Sequence, residues 1–184
     1  LSEKIYGLTE LNREKIRNSD LVANPGCYPT AAILSLFPLL EEKLINQETI
    51  IIDAKSGYSG AGRKNLESGL KKRIDNNFIP YNFYRHRHCP EITQELNKAS
   101  NSNVKITFSP HILPTYRGIL ETIYVDLKKS MSSEEILNVY DKFYENDQFV
   151  KTSNSKIFEI SDVVNTNNIA ISIHDGRDNK ITII

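Results

Sequence analysis

The chain has 184 residues, which is about one domain and enough to bury a hydrophobic core. Its 23 basic and 23 acidic residues cancel, so it lacks the long-range field that recruits a nucleic acid or an anionic membrane. Its two cysteines do not suggest a disulfide framework, and no apolar run is long enough to span a bilayer. We therefore expect an intracellular, cytoplasmic protein with no nucleic-acid or membrane partner.

The first half of the chain carries the signals of three helices, two strands and a glycine-rich loop. In chain order these are a helix Thr9–Ile16, a helix from Tyr28 to about Lys43, a strand Thr49–Asp53, the loop 56–63, a strand Asn82–His88 and a helix from Pro90 to about Ala99.

The second half reads mainly as strands. They are Val104–Ser109, Leu120–Leu127, Ile169–Ile173 and Lys180–Ile184, with one helix starting near Ser132. The last two strands flank the turn 175–179 and indicate a hairpin. Several strands are joined by connections too short for a parallel crossover. We therefore predict a single α+β domain, with a mixed, largely antiparallel sheet and helices on one face.

Cys27 lies where a turn gives way to a helix, in the string Asn24-Pro-Gly-Cys-Tyr-Pro-Thr30. Pro25 and Gly26 are turn residues, and Pro29 suits the first turn of a helix. Unpaired N–H groups at such a helix start favour a thiolate, and they lower a cysteine pKa from roughly 8.5 toward ~7 or below. We therefore predict a nucleophile. The alternative is a cysteine that serves only as a small hydrophobe.

Two histidines offer a base for that thiol. If the segment 82–88 is extended, His86 and His88 share one face, because the side chains of a strand alternate with a period of two. A neutral imidazole on that face accepts the thiol proton and later returns it. We favour His86, with His88 as the alternative. Glu91 either orients the imidazole or only stabilises the start of a helix.

The same segment has a second interpretation, as a set of metal ligands. Imidazole, thiolate and carboxylate groups all bind zinc, and His86, His88, Cys89 and Glu91 supply all three. In an extended strand, however, Cys89 points away from the face of the two histidines, and no distant second pair of ligands accompanies them. We therefore predict no metal site.

Four segments together give the chain a specific resemblance: 24–30, 56–63, 86–92 and 110–119. In this order they resemble the N-acetyl-gamma-glutamyl-phosphate reductase family, part of the wider semialdehyde dehydrogenase class. Members of that family begin with a nucleotide-binding domain of the Rossmann type and end in a closing helix. The resemblance implies that residues 1–184 are an excised catalytic and dimerisation domain without these two parts.

The resemblance also implies ligand contacts. It assigns the nicotinamide end of NADP to the loop residues Ser56, Gly57, Ser59, Gly60, Ala61, Gly62 and Arg63. It also places His111 and Arg117 at the border of the substrate pocket, where Lys55 adds positive charge. The planar fork of an arginine suits a carboxylate or an acyl phosphate. On composition alone, the glycine-rich loop would be a flexible surface loop.

The implied reaction is the NADPH-dependent reduction of N-acetyl-gamma-glutamyl phosphate, a step of arginine biosynthesis that passes through a cysteine thioester. The family also implies a homo-oligomer, a dimer or tetramer, that forms through the free sheet face. Three alternatives stay open: a reductase for carrier-linked aminoadipyl or glutamyl phosphates, a cysteine acyl hydrolase or transferase, and an idle assembly module. We expect this chain alone to be nearly inactive in the redox reaction.

Overall fold

A computed structural model describes residues 4–184, which fold around one large sheet. The strands in this part of the chain are β1 (Ile5–Tyr6), β2 (Val22–Ala23), β3 (Ile50–Gly57), β4 (Ile79–Pro80), β5 (Ile106–Leu113), β6 (Ile119–Asp126), β7 (Val150–Ser153), β8 (Ile169–Asp175) and β9 (Lys180–Ile183). The helices are α1 (Thr9–Arg17), α2 (Cys27–Glu41), α3 (Arg63–Glu67), α4 (Leu70–Arg73), α5 (His88–Ser100), α6 (Ser133–Phe143) and α7 (Ile160–Val163).

The large sheet has the strand order β4-β5-β3-β6-β9-β8-β7, while β1 and β2 form a separate parallel pair. Within it, β3 pairs in parallel with β5, and β7 with β8. The other four neighbouring pairs are antiparallel, including the hairpin of β8 and β9. The predicted mixed, largely antiparallel sheet is therefore confirmed.

The core lies between the sheet and the helices on one of its faces. On β3, Ile50, Ile52 and Ala54 are buried and alternate with partly or fully exposed residues, as expected for a strand with one covered face. Helix α2 has ten buried residues among its fifteen, because it lies between the sheet, α5 and α6. In residues 4–184, no helix is long and apolar enough to cross a membrane.

Helix α2 contains an internal proline, and a tyrosine hydroxyl bonds the helix carbonyl that this proline leaves without a donor. Pro38 has no N–H to donate to the carbonyl four residues earlier, which is that of Leu34. The hydroxyl of Tyr144 donates to this carbonyl at 2.5 Å, in a buried position. A tertiary contact thus satisfies a helix carbonyl that the helix itself leaves unpaired.

We expect the variant Tyr144→Phe to lower the free energy of unfolding by about 1 to 2 kcal/mol, because the Leu34 carbonyl stays buried without a donor. Urea denaturation of the wild type and the variant measures this difference. Tyr124→Phe is the matched control, since its hydroxyl makes no hydrogen bond within residues 4–184, and it should change stability by less than about 0.5 kcal/mol. If both substitutions lowered the free energy of unfolding equally, the bond of the Tyr144 hydroxyl would not be what stabilises the fold.

The predicted strand Asn82–His88 is wrong. Asn82 and Tyr84 have left-handed backbone angles, with φ of 48° and 57°, so this segment is a turn. Helix α5 then begins at His88, two residues before the predicted start at Pro90. An asparagine such as Asn82 tolerates the left-handed conformation, and Pro90 suits the first turn of a helix, so the residues of this segment favour a turn followed by a helix.

Candidate active site

Cys27 is the first residue of α2, and its side chain is solvent-exposed. The backbone N–H groups of Tyr28 and Cys27 lower the thiol pKa, as the sequence led us to expect. Desolvation by the surrounding protein is the larger effect, however, and it raises the pKa of Cys27 above its usual value. The predicted low pKa is therefore wrong for this chain, whereas the predicted position of the thiol at a helix start is confirmed.

Glu91 holds the loop that precedes the thiol. One carboxylate oxygen, Oε1, accepts hydrogen bonds from the backbone N–H of Gly26 and from the hydroxyl of Tyr6, each at 2.8 Å. Two donors on one oxygen fix Gly26, the residue directly before Cys27. Glu91 therefore holds the loop that precedes Cys27, a contact that neither of its two predicted roles includes.

His88 packs directly on that loop. A Cβ atom added to Gly26 would lie 2.6 Å from His88 Nε2, so the imidazole covers the glycine beside Cys27. Burial lowers the pKa of His88, and its Nδ1 is buried with no hydrogen-bond partner in residues 4–184. The neutral imidazole thus retains one uncommitted ring nitrogen, and its Nε2 side packs against the residue before Cys27.

His86 is fully engaged elsewhere. Its Nδ1 accepts the backbone N–H of His88 at 3.2 Å, and its Nε2 lies 3.2 Å from the hydroxyl of Tyr81. Because Nδ1 is an acceptor, Nε2 carries the proton and donates it to Tyr81, which in turn donates to the hydroxyl of Tyr28 at 3.3 Å. Within residues 4–184, neither imidazole makes a hydrogen bond to the Cys27 sulfur. The pair therefore divides into a structural His86 and an available His88.

Burial lowers the pKa of His86 to about 4, so we expect this histidine to make the domain sensitive to acid. The unfolded chain takes up the proton near pH 6.5 and the folded one only near pH 4, so stability present above pH 6.5 is lost as the pH falls toward 4. Between pH 7 and pH 5 the wild type should lose roughly 1 to 2 kcal/mol more than His86→Gln. Urea denaturation of both proteins at several pH values measures this. If the unfolding free energies of the wild type and His86→Gln changed in parallel with pH, His86 would not be the source of the acid sensitivity.

A cavity of about 390 Å³ opens beside Cys27. Ser56, Gly57, Ser59, Gly60 and Arg117 line it together with Cys27. Residues between 158 and 170 and Ile184 line it as well. The structure thus brings the thiol, the first half of the glycine-rich loop and Arg117 to one cavity, as the sequence led us to expect.

The glycine-rich loop is held by backbone hydrogen bonds to the turn between β5 and β6. Gly57 donates to the carbonyl of Gly118 at 2.8 Å, and Ser59 donates to that of Tyr116 at 2.9 Å. A Cβ on Gly57 would lie 2.7 Å from the backbone of Tyr116 and Arg117, so only glycine fits here. The loop is therefore an ordered wall and not a flexible surface segment. Among its predicted ligand residues, Ala61, Gly62 and Arg63 do not line the cavity.

Two predicted substrate residues lie on the other side of the sheet. Lys55 donates from Nζ to Asp53 Oδ2 at 2.6 Å, and His111 Nδ1 lies 3.3 Å from Asp53 Oδ1. These three side chains share the face of β3 and β5 opposite to Ala54, which is in the core. The structure therefore does not bring Lys55 and His111 to the cavity, because a strand sends alternate side chains to opposite faces.

Sequence comparison identifies relatives of the whole chain. Residues 27–184 match the family described as semialdehyde dehydrogenase, dimerisation domain. An N-acetyl-gamma-glutamyl-phosphate reductase of Caldicellulosiruptor bescii is 40% identical over 100% of this chain and 54% of its own length. The enzyme of that name from Clostridium botulinum is 46% identical over 99% of this chain and 54% of its own length. The chain thus spans about half the length of these curated relatives.

Solved structures share the fold. Aspartate semialdehyde dehydrogenase II from Vibrio cholerae superposes with a TM-score of 0.73 at 16% identity, over 98% of this chain and 61% of that one. The enzyme from Francisella tularensis gives a TM-score of 0.70 at 17% identity, over 100% of this chain and 65% of that one. At such identities the likeness concerns the fold alone. The sequence match over residues 27–184 and this fold agree, and the chain belongs to the semialdehyde dehydrogenase dimerisation-domain family.

Proposed function

We propose that the complete protein reduces an acyl phosphate to an aldehyde, with N-acetyl-gamma-glutamyl phosphate as its substrate and NADPH as its reductant. One observation carries the proposal: an accessible thiol, that of Cys27, directly follows Gly26, against which the neutral imidazole of His88 packs and whose N–H the carboxylate of Glu91 holds. The reductases of that name that match this chain over its length support the choice of substrate. The reaction would belong to arginine biosynthesis.

In the first half of the reaction, Cys27 is acylated. His88 accepts the thiol proton, and the sulfur attacks the acyl carbon while the C–O bond to phosphate breaks. Phosphate leaves with the bonding electron pair, and a thioester remains on Cys27. The N–H groups of Cys27 and Tyr28 favour the thiolate that this step requires.

We assign the proton transfers to His88 and not to His86. Both nitrogens of His86 are committed, one to a backbone donor and one to Tyr81, so its ring holds neighbouring groups in place. His88 lies against Gly26, directly before the nucleophile. Its low pKa keeps it neutral at pH 7, the form in which an imidazole accepts a proton.

The second half of the reaction releases the aldehyde. NADPH, when bound, supplies the hydride that reduces the thioester carbonyl. Backbone N–H groups around Cys27 stabilise the resulting oxyanion, a role that contributes ~3 kcal/mol in other enzymes. Collapse of the thiohemiacetal breaks the C–S bond, and His88 returns its proton to the sulfur. The products are N-acetyl-glutamate semialdehyde and the free thiol.

The residues present fit the nicotinamide end of that cofactor. Ser59 and Gly60 line the cavity next to Cys27, and backbone hydrogen bonds hold the loop that carries them. The sequence has no Gly-x-Gly-x-x-Gly turn for the phosphates of a dinucleotide. The chain spans about half the length of its curated relatives, so we expect turnover from the complete protein. Arg117 lines the same cavity and would bind a substrate carboxylate.

We infer that the uncovered face of the sheet binds a second copy of the chain. Ile51 and Tyr124 are paired across β3 and β6 on this face and are 43% and 41% exposed. Exposed apolar side chains on a sheet face are typical of a protein interface. The description of the family as a dimerisation domain agrees with this inference.

Trapping of the acyl-enzyme tests the proposal. The complete protein, mixed with N-acetyl-gamma-glutamyl phosphate in the absence of NADPH, should gain the mass of one acyl group on the peptide that contains Cys27. Cys89→Ser should retain this adduct, since Cys89 lies outside the cavity. Absence of the adduct would contradict the proposal. Rapid release of N-acetyl-glutamate without NADPH would instead indicate an acyl hydrolase.

A further inference from the structure

Glu121 is a buried carboxyl group in the wall of the Cys27 cavity. Its side chain is on the core-facing phase of β6, with Ile123 and Val125, and the residue is 6% exposed. Neither carboxyl oxygen has a hydrogen-bond partner within residues 4–184. A buried polar group without a partner costs free energy, so such a group in a cavity marks a place for a ligand donor.

The two nearby cations do not serve as that partner. Lys55 is the one whose charge acts on Glu121, but its ammonium bonds Asp53 and Thr122 on the opposite sheet face. Arg117 shares the cavity, yet its guanidinium lies over the ring of Tyr116, 5.5 Å from the centroid. The Glu121 carboxyl therefore lies in the cavity wall without an ion pair within residues 4–184.

The chemistry of the missing partner follows from this environment. Burial raises the pKa of Glu121 well above its usual value, which favours the neutral carboxyl. A neutral carboxyl still has a carbonyl oxygen that accepts an N–H, and it gains little from a cation. A neutral amide N–H is thus a better match than an ammonium group. N-acetyl-glutamyl phosphate carries such an amide a few bonds from its acyl carbon.

We propose that Glu121 accepts the amide N–H of an N-acylated substrate and so contributes to its selection over acyl phosphates that lack the amide. This assignment rests on the proposed function, because it places the substrate in the Cys27 cavity. It makes Glu121 a specificity-determining residue at a position for which the sequence predicted no role.

Ligand protection of Cys27 tests the assignment without requiring turnover. In the complete protein, iodoacetamide alkylation of the Cys27 peptide is followed by mass spectrometry with increasing N-acetyl-glutamate or glutarate, which lacks the acetamido group. Glu121→Leu should weaken protection by N-acetyl-glutamate about 10-fold and leave protection by glutarate within about 3-fold. Glu121→Gln keeps a carbonyl acceptor and should stay within about 3-fold of wild type for both ligands.

If Glu121→Leu weakened protection by N-acetyl-glutamate and by glutarate equally, the assignment would be overturned, since this would show a general change of the cavity. Unchanged protection by N-acetyl-glutamate would overturn it as well, because the carboxyl would then be satisfied by water alone. The proposed function fails separately, if the wild-type protein does not turn over N-acetyl-glutamate semialdehyde.

Discussion

Replacement of Cys27 by alanine should reduce turnover of the complete protein to below about one thousandth of the wild-type rate, because no other group can carry the acyl chain. Cys27 is exposed at the start of α2, so the substitution removes a sulfur without opening a hole in the core. The melting temperature should therefore change by only a few degrees. Steady-state kinetics and thermal unfolding of the same samples measure both effects.

Cys89→Ser is the matched control for the other thiol. Cys89 is half-buried on α5, outside the cavity, and burial raises its pKa, so it is not expected to react. The variant should keep most of the wild-type kcat. If it lost activity as severely as Cys27→Ala, the assignment of the nucleophile to Cys27 would be wrong.

Replacement of Gly26 by alanine should lower kcat about 100-fold or more, although it adds only one methyl group. The φ of Gly26 is −68°, which suits alanine, so the backbone is not the obstacle. The added Cβ would lie 2.6 Å from Nε2 and 2.9 Å from Cδ2 of His88 and must displace the imidazole. Loss of a positioned acid and base costs 10²–10⁴-fold in rate in many enzymes.

A double-mutant cycle shows whether Gly26→Ala lowers kcat by displacing the imidazole of His88. In the background of His88→Ala, the imidazole is gone and Gly26→Ala should cost little more. Alkylation of Cys27 by iodoacetamide should stay within a few-fold of wild type, since the thiol itself keeps its place. Additive losses in kcat would indicate that Gly26→Ala disturbs the nucleophile loop itself and not the histidine.

The position of Cys27 at a helix start was predictable because its signals are local. Pro25, Gly26 and Pro29 mark a turn and a helix start within a few residues of Cys27, and the structure begins α2 at Cys27. The thiol pKa was not predictable, since desolvation depends on residues that the fold brings from far along the chain. Glu121, a buried residue in the wall of the same cavity, is one of these.

The two histidines lie side by side as predicted, although the strand predicted for their segment is wrong. His86 and His88 do meet, with ring centroids 4.8 Å apart, but on a turn and a helix start and not on a strand. Alternation of exposed and buried residues survives in this short stretch, so the two rings still share a side. Which imidazole is free depends on Tyr81 and on the backbone of His88, and a sequence pattern does not specify these contacts.

Two features of the site, the hydrogen bond of Glu91 and the burial of Glu121, differ in their sequence signals. The bond between Glu91 and the Gly26 N–H joins residues 65 positions apart, and no local pattern predicts it. Glu121, by contrast, has a signal, because it shares the alternation phase of Ile123 and Val125, both apolar core residues. A charged residue in the buried phase of a strand is rare unless it is paired or functional.

Phosphate dependence of the reverse reaction tests the thioester route most directly. The complete protein is given N-acetyl-glutamate semialdehyde and NADP, with and without inorganic phosphate, and NADPH formation is followed by absorbance. Steady formation only in the presence of phosphate is the predicted result, because phosphate must release the acyl group from Cys27. Equal rates with and without phosphate would contradict the account, since water would then release the acyl group.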